Sequence, residues 1–139
     1  MRTVIPVVPP FVQHVIEVRA GDLAYVPTRA PFGYRYRSYT WNRATKQLTV
    51  RLHDRHYAPS NKNRTVAVTA EWLNLPLVRC GDGNEKSYQV DGNKVFSAGG
   101  TLAWRCVRGA GGRTVKIIAS GKNLPVSTLA IVASSVKRL

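Results

Sequence analysis

Apolar residues fall at every second position in two neighbouring runs of this chain. Leu48, Val50 and Leu52 alternate with Gln47, Thr49, Arg51 and His53, and Val66, Val68, Ala70 and Trp72 alternate with Thr65, Ala67, Thr69 and Glu71. A period of two marks a strand with one dry face and one wet face. The polar stretch Pro59–Asn63 between the runs makes them a hairpin. The same reading places strands at Val12–Arg19, Asp22–Val26, Tyr34–Trp41, Ser87–Val90 and Thr101–Val107, all drawing on Val, Thr, Tyr or Trp. Short connections at Ala20–Asp22, Asn42–Lys46 and Gly81–Asn84 favour antiparallel neighbours, hence a meander.

After Pro125 the period changes. Leu129, Val132, Val136 and Leu139 stand at offsets 0, 3, 7 and 10, one stripe of a helix over Ser127–Leu139. Ser127 is its candidate N-cap, and Lys137 and Arg138 suit its C-terminal end. A buried strand at Thr128–Ala133 is the competing reading. Thr114–Ala119 allows a short helical turn, weakened by the glycines at 109, 111 and 112. The 139 residues, 44% of them hydrophobic, suit a single domain over 1–139, of α+β class and mostly β.

Charge changes the picture. Lys and Arg number 21 against 7 Asp and Glu, a formal +14. Between Leu23 and Ala70 stand nine basic residues and one acid, Asp54. Such an excess repels itself and is normally neutralised by a polyanion. Nucleic acid is the leading partner and an anionic membrane surface the second. No apolar run approaches the roughly 20 residues of a spanning helix, and Pro6, Pro9 and Pro10 break the apolar N-terminus, so export is not expected.

The wet hairpin face therefore has two explanations, water or RNA. Before it, GYRYRSYTW carries Arg35 and Arg37 on one face and Tyr34 and Tyr36 on the other, so either pair joins the polar side. Arginine forks grip phosphates, and aromatic rings stack on unpaired bases. Lys62 and Arg64 add cations at the hairpin tip. The run His53-Asp54-Arg55-His56 has a catalytic or metal-binding look, but in a strand its histidines point to opposite faces. No nucleophile elbow, phosphate-binding glycine loop or carboxylate pair occurs, so a non-enzymatic protein is expected. The two cysteines, Cys80 and Cys106, form no CxxC, and whether they pair is open.

Taken together, LTVRL…APSNKNRTVAVTAEW resembles the central hairpin of the coat proteins of single-stranded RNA phages of the levivirus type. The tail GKNLPVSTLAIVASS resembles that family's break between two C-terminal helices. The resemblance covers Gln47–Trp72 and Gly121–Leu139. It implies a meander sheet with an N-terminal hairpin, C-terminal helix or helices, and an intertwined homodimer whose helices cross the partner's sheet. It further implies an icosahedral virion assembled in the host cytoplasm and an inner sheet face binding single-stranded genomic RNA, including a hairpin that represses translation. Carried onto this chain, that face is Gln47, Thr49, Arg51, His53, Thr65, Thr69 and Glu71, with Arg51 the favoured cation. Leu129, Val132 and Val136 become dimer packing. Cys80, in the polar loop RCGDGNEK, becomes a candidate inter-subunit disulfide, while Cys106 in TLAWRCV is expected to be a buried structural thiol. A small jelly-roll capsid subunit and a cellular RNA-binding module are the alternatives; Met1–Asp22, with Arg2 and Arg19 as its cations, lacks the basic arm of the former.

Overall fold

The computed structural model describes residues 6–54, 65–81 and 85–139. The alternating runs form antiparallel neighbours: β3 (Gln47–Asp54) pairs with β4 (Thr65–Leu73), in the register Thr49 opposite Thr69 and Arg51 opposite Ala67. Before them, β2 (Tyr34–Asn42) pairs with β3 through a turn in which the Asn42 side-chain oxygen accepts from the Ala44 and Thr45 amides at 3.0 and 3.1 Å. A second meander follows, made of β5 (Lys86–Val90), β6 (Asn93–Ala98), β7 (Leu102–Arg108) and β8 (Thr114–Gly121). Strand β8 returns to lie beside β4, giving one seven-stranded antiparallel sheet in the order β2-β3-β4-β8-β7-β6-β5. Among the described residues the fold is mostly β, with two α-helices and a small second sheet in which β1 (Tyr25–Val26) pairs with β9 (Lys137–Arg138).

The expected N-terminal hairpin is replaced by a helix, α1 (Pro10–Ala20). Pro9 and Pro10 occupy its start, where a missing N–H costs nothing, and Gly21 ends it at φ 55°. Val12, Ile16 and Ala20 repeat at spacing four and face the core, a helical period hidden under β-branched residues. Two further expectations are corrected. Thr114–Ala119 belongs to the central strand β8, whose Val115, Ile117 and Ala119 are fully buried. Between the expected strands Ser87–Val90 and Thr101–Val107 lies a third, β6, because Asp91 and Gly92 both adopt positive φ (49° and 81°) and turn β5 into β6.

The C-terminal helix, α2, spans Val126–Ser135 and starts at Pro125 rather than Ser127. Leu129, Val132 and Val136 are 0–1% exposed, packed on the chain's own β6, β7 and β8. The stripe expected to cover a partner's sheet is thus consumed within one chain, and no intertwining is needed to bury it. Polar contacts lock the helix end. The Ser134 hydroxyl donates to the Val90 carbonyl at 2.9 Å, and the Arg105 guanidinium donates to the Ser134 and Val136 carbonyls at 3.3 and 3.4 Å. This places a cation on the negative end of the helix dipole. Thr28 donates its hydroxyl to the Ser135 carbonyl at 2.6 Å, tying in the segment after β1.

Helices α1 and α2 both lie on the face that carries Leu48, Val50, Leu52, Val66, Val68, Val115 and Ile117, and these side chains form the core. Val132→Asp would bury an unpaired charge there, at a cost of about 3 kcal/mol or more. Thermal unfolding followed by circular dichroism should show the melting temperature falling by roughly 10 °C or more. An unchanged melting temperature would mean that this stripe does not pack.

Candidate functional site

Among the described residues, neither α1 nor α2 lies on the opposite face of the sheet. Its geometry follows from the strand registers. Thr40, Thr49, Thr69, Ile118, Trp104, Phe96 and Ser87 stand opposite one another in a row that crosses all seven strands. On one side of it runs Ser38, Arg51, Ala67, Ser120 and Leu102; on the other run Asn42, Gln47, Glu71, Lys116 and Cys106. Beyond Arg51 come Arg35, His53 and Thr65. The residues predicted for a binding face, Arg35, Gln47, Thr49, Arg51, His53, Thr65, Thr69 and Glu71, therefore do share one surface. Lys62 and Arg64 lie outside the described residues.

Tyr34 is buried and Tyr36 is half-buried against the core, so the arginines take the polar side. A register shift between Tyr36 and Ser38 inserts Arg37, which is exposed and whose charge acts on His53. The bulge resets the alternation after Arg37, so that Ser38 also takes the polar side and Tyr39 turns toward the core.

Hydrogen bonds hold the face in place. Arg51 donates to the Thr40 hydroxyl at 2.8 Å, Thr49 and Thr69 share a hydroxyl bond of 3.2 Å, and the Gln47 amide donates to the Glu71 carboxylate at 2.5 Å. Glu71 is the one acid that the described strands place on this face, against Arg35, Arg37, Arg51, Lys94, Lys116 and Arg108. Partial burial first, then the charges of Arg37 and Arg51, hold the His53 pKa below the ordinary histidine value. Such a surface suits an extended polyanion: forks for phosphates, hydroxyls and amides for sugars and base edges. Among the described residues, no three His, Cys, Asp or Glu side chains group as a metal site.

Sequence reading missed half of this surface. Lys94, Phe96, Trp104, Lys116 and Arg108 lie on it, from strands β6, β7 and β8. The ammonium of Lys94 stands 5.4 Å from the Phe96 ring centre, and that of Lys116 stands 5.3 Å from Trp104. The alternation in Val115, Lys116, Ile117, Ile118 and Ala119, and the Asp91-Gly92 turn, were the signals that could have found them.

The sulfur chemistry also differs from expectation. Cys80 is bonded to Cys106 of the same chain, with Cα atoms 5.9 Å apart. It is therefore not available to a neighbouring subunit in this state, and Cys106 is no isolated thiol.

No family model matches this chain, and comparison with curated proteins and with solved structures likewise gives no match.

The depressed His53 pKa has a signed consequence. The folded chain binds that proton less readily than the unfolded one, so His53 withdraws stability as pH falls through about 6.5. A phosphate seated beside it would reverse the shift, so polyanion binding should take up a proton and tighten over the same range. Affinity for a short RNA measured from pH 7.5 to 5.5 should rise on acidification in the wild type and less so in His53→Gln. Identical pH profiles would remove His53 from the contact surface.

Proposed function

We propose that this protein is the coat subunit of a single-stranded RNA phage of the levivirus type, and that the helix-free sheet face binds genomic RNA inside the shell. The observation that carries the RNA reading is the face itself. Six cations, a paired acid and a central band of hydroxyls lie on a sheet whose other side is closed by helices. The hairpin that resembles the family's RNA surface, β3 and β4, supplies the second and third of its seven strands. The Lys122-Asn123-Leu124-Pro125 break separates strand β8 from α2 rather than two helices, so the tail keeps one helix of the family pattern and departs from it in the other.

Assembly rests on the sheet's edges. Strands β2 and β5 each have a neighbour on one side only among the described residues, so a second copy can extend the sheet. Strand β2 is guarded by the Arg37 bulge and two exposed arginines, so β5 is the more open edge for a homodimer. Dimers of that kind would tile an icosahedral virion in the host cytoplasm and repress translation by holding an RNA hairpin on the face. Helix α1 in place of the N-terminal hairpin distinguishes this chain from the family pattern.

Two measurements test the reading. Negative-stain microscopy of the purified protein should show closed particles; a small species that still binds RNA would favour a cellular RNA-binding module instead. Arg51→Ala should weaken RNA binding and lower the slope of log affinity against log salt by about 0.7 for a single strand, with the melting temperature little changed. Superimposable salt lines for wild type and Arg51→Ala would remove β3 from the RNA surface.

A further inference from the structure

The segment Asn74–Gly81 leaves β4 and crosses the same sheet face over β6 and β7. Three contacts fix it there. Cys80 is bonded to Cys106, the Cys80 carbonyl accepts from the Trp104 ring N–H at 3.0 Å, and Gly81 lies so near Phe96 that a Cβ would come within 2.7 Å of the ring. Beneath this strap, Phe96 and Trp104 stack with ring centres 5.9 Å apart, and Trp104 is only 9% exposed. A crevice of about 290 Å³ opens between the strap and the place where β6 and β7 part.

The strap itself is thinly anchored. Its apolar side chains Leu75, Leu77 and Val78 are 46%, 39% and 89% exposed, so they contribute little burial. Segments with few buried contacts open at low free-energy cost once a covalent tie is cut. What the strap covers is unusual for a solvated sheet: two stacked aromatic rings with an ammonium over each, in one row with Thr49 and Thr69. Stacked rings beside cations are the elements that take unpaired bases of a single strand.

We propose that Phe96 and Trp104, with Lys94 and Lys116, form a base-stacking subsite for single-stranded RNA that the Cys80–Cys106 strap covers when oxidised and uncovers when reduced. This rests on the reading of the sheet face as an RNA surface. Opening requires a dithiol reductant. Its two thiols give up two electrons and two protons, closing their own disulfide, while the Cys80–Cys106 bond breaks into two thiols. A cytosol keeps such cysteines reduced, and an extracellular medium oxidises them. The subsite is therefore open while RNA is being gathered and closed over it afterwards.

The test is affinity for an unstructured oligouridine, measured with oxidised protein, with protein reduced by dithiothreitol, and with the Cys80→Ser/Cys106→Ser double variant. Reduction and the double variant should each tighten binding on the order of tenfold, the worth of a stacked base. Phe96→Ala in the reduced protein should abolish that gain. Binding that depends on Arg51 in the oxidised protein but is unchanged by reduction overturns the gate and leaves the sheet-face reading standing. No binding in either state overturns both. Loss of the far-ultraviolet strand signal on reduction would make the bond a structural clamp, and that also overturns the gate.

Discussion

Two short helices can cover only one face of a seven-stranded sheet. Here both are spent on the same face, and α2 is seated by an apolar stripe and by polar locks at its end. Leu129, Val132 and Val136 bury against β6, β7 and β8, while Ser134, Ser135 and Arg105 fasten the last turn to β5, β7 and the segment after β1. Everything on the other face follows from that choice. Its side chains must be compatible with water or with a ligand, and the period-two alternation of β3 and β4 delivers polar ones. The same register that dries Leu48, Val50 and Leu52 aligns Arg51 with Ser38 and Ala67, and Thr49 with Thr40 and Thr69.

The hairpin was legible because strand period and burial agree along its whole length. A one-residue slip would have inverted every side chain, so alternation alone specifies the faces. The tail was legible for the parallel reason that offsets of three and four are helical. Other parts were hidden by competing physics. In α1, Val12, Val15 and Val18 favour strand locally, yet two prolines and the spacing of Val12, Ile16 and Ala20 decide for helix. In β8, the glycines before Thr114 suggested a break, but they form the turn that brings a central strand back beside β4. Misreading β8 and the Asp91-Gly92 turn concealed the lysines and aromatic rings of the far half of the face. The stripe on α2 was found correctly but given to a partner, because periodicity reports that a surface is buried and not by whose sheet.

Electrostatics joins the two halves. A formal +14 on 139 residues is a standing self-repulsion, and the cations of the open face are spread along strands rather than paired with acids. An extended polyanion relieves that repulsion in the geometry provided. The lowered His53 pKa is a local symptom of the same field, since Arg37 and Arg51 oppose its protonation. Under the proposed gate, the Cys80–Cys106 disulfide sets how much of the far half is open to the same ligand.

The central claim is that the helix-free face, not the helical one, meets RNA. Photo-crosslinking to an oligonucleotide carrying 4-thiouridine, followed by mass-spectrometric mapping of the modified peptides, tests it most directly. Adducts should fall on β2, β3, β4 and β8, among Arg35–Arg51, Thr65–Glu71 and Lys116–Ser120. Adducts concentrated on α1 and α2, with the strands unmodified, would contradict it.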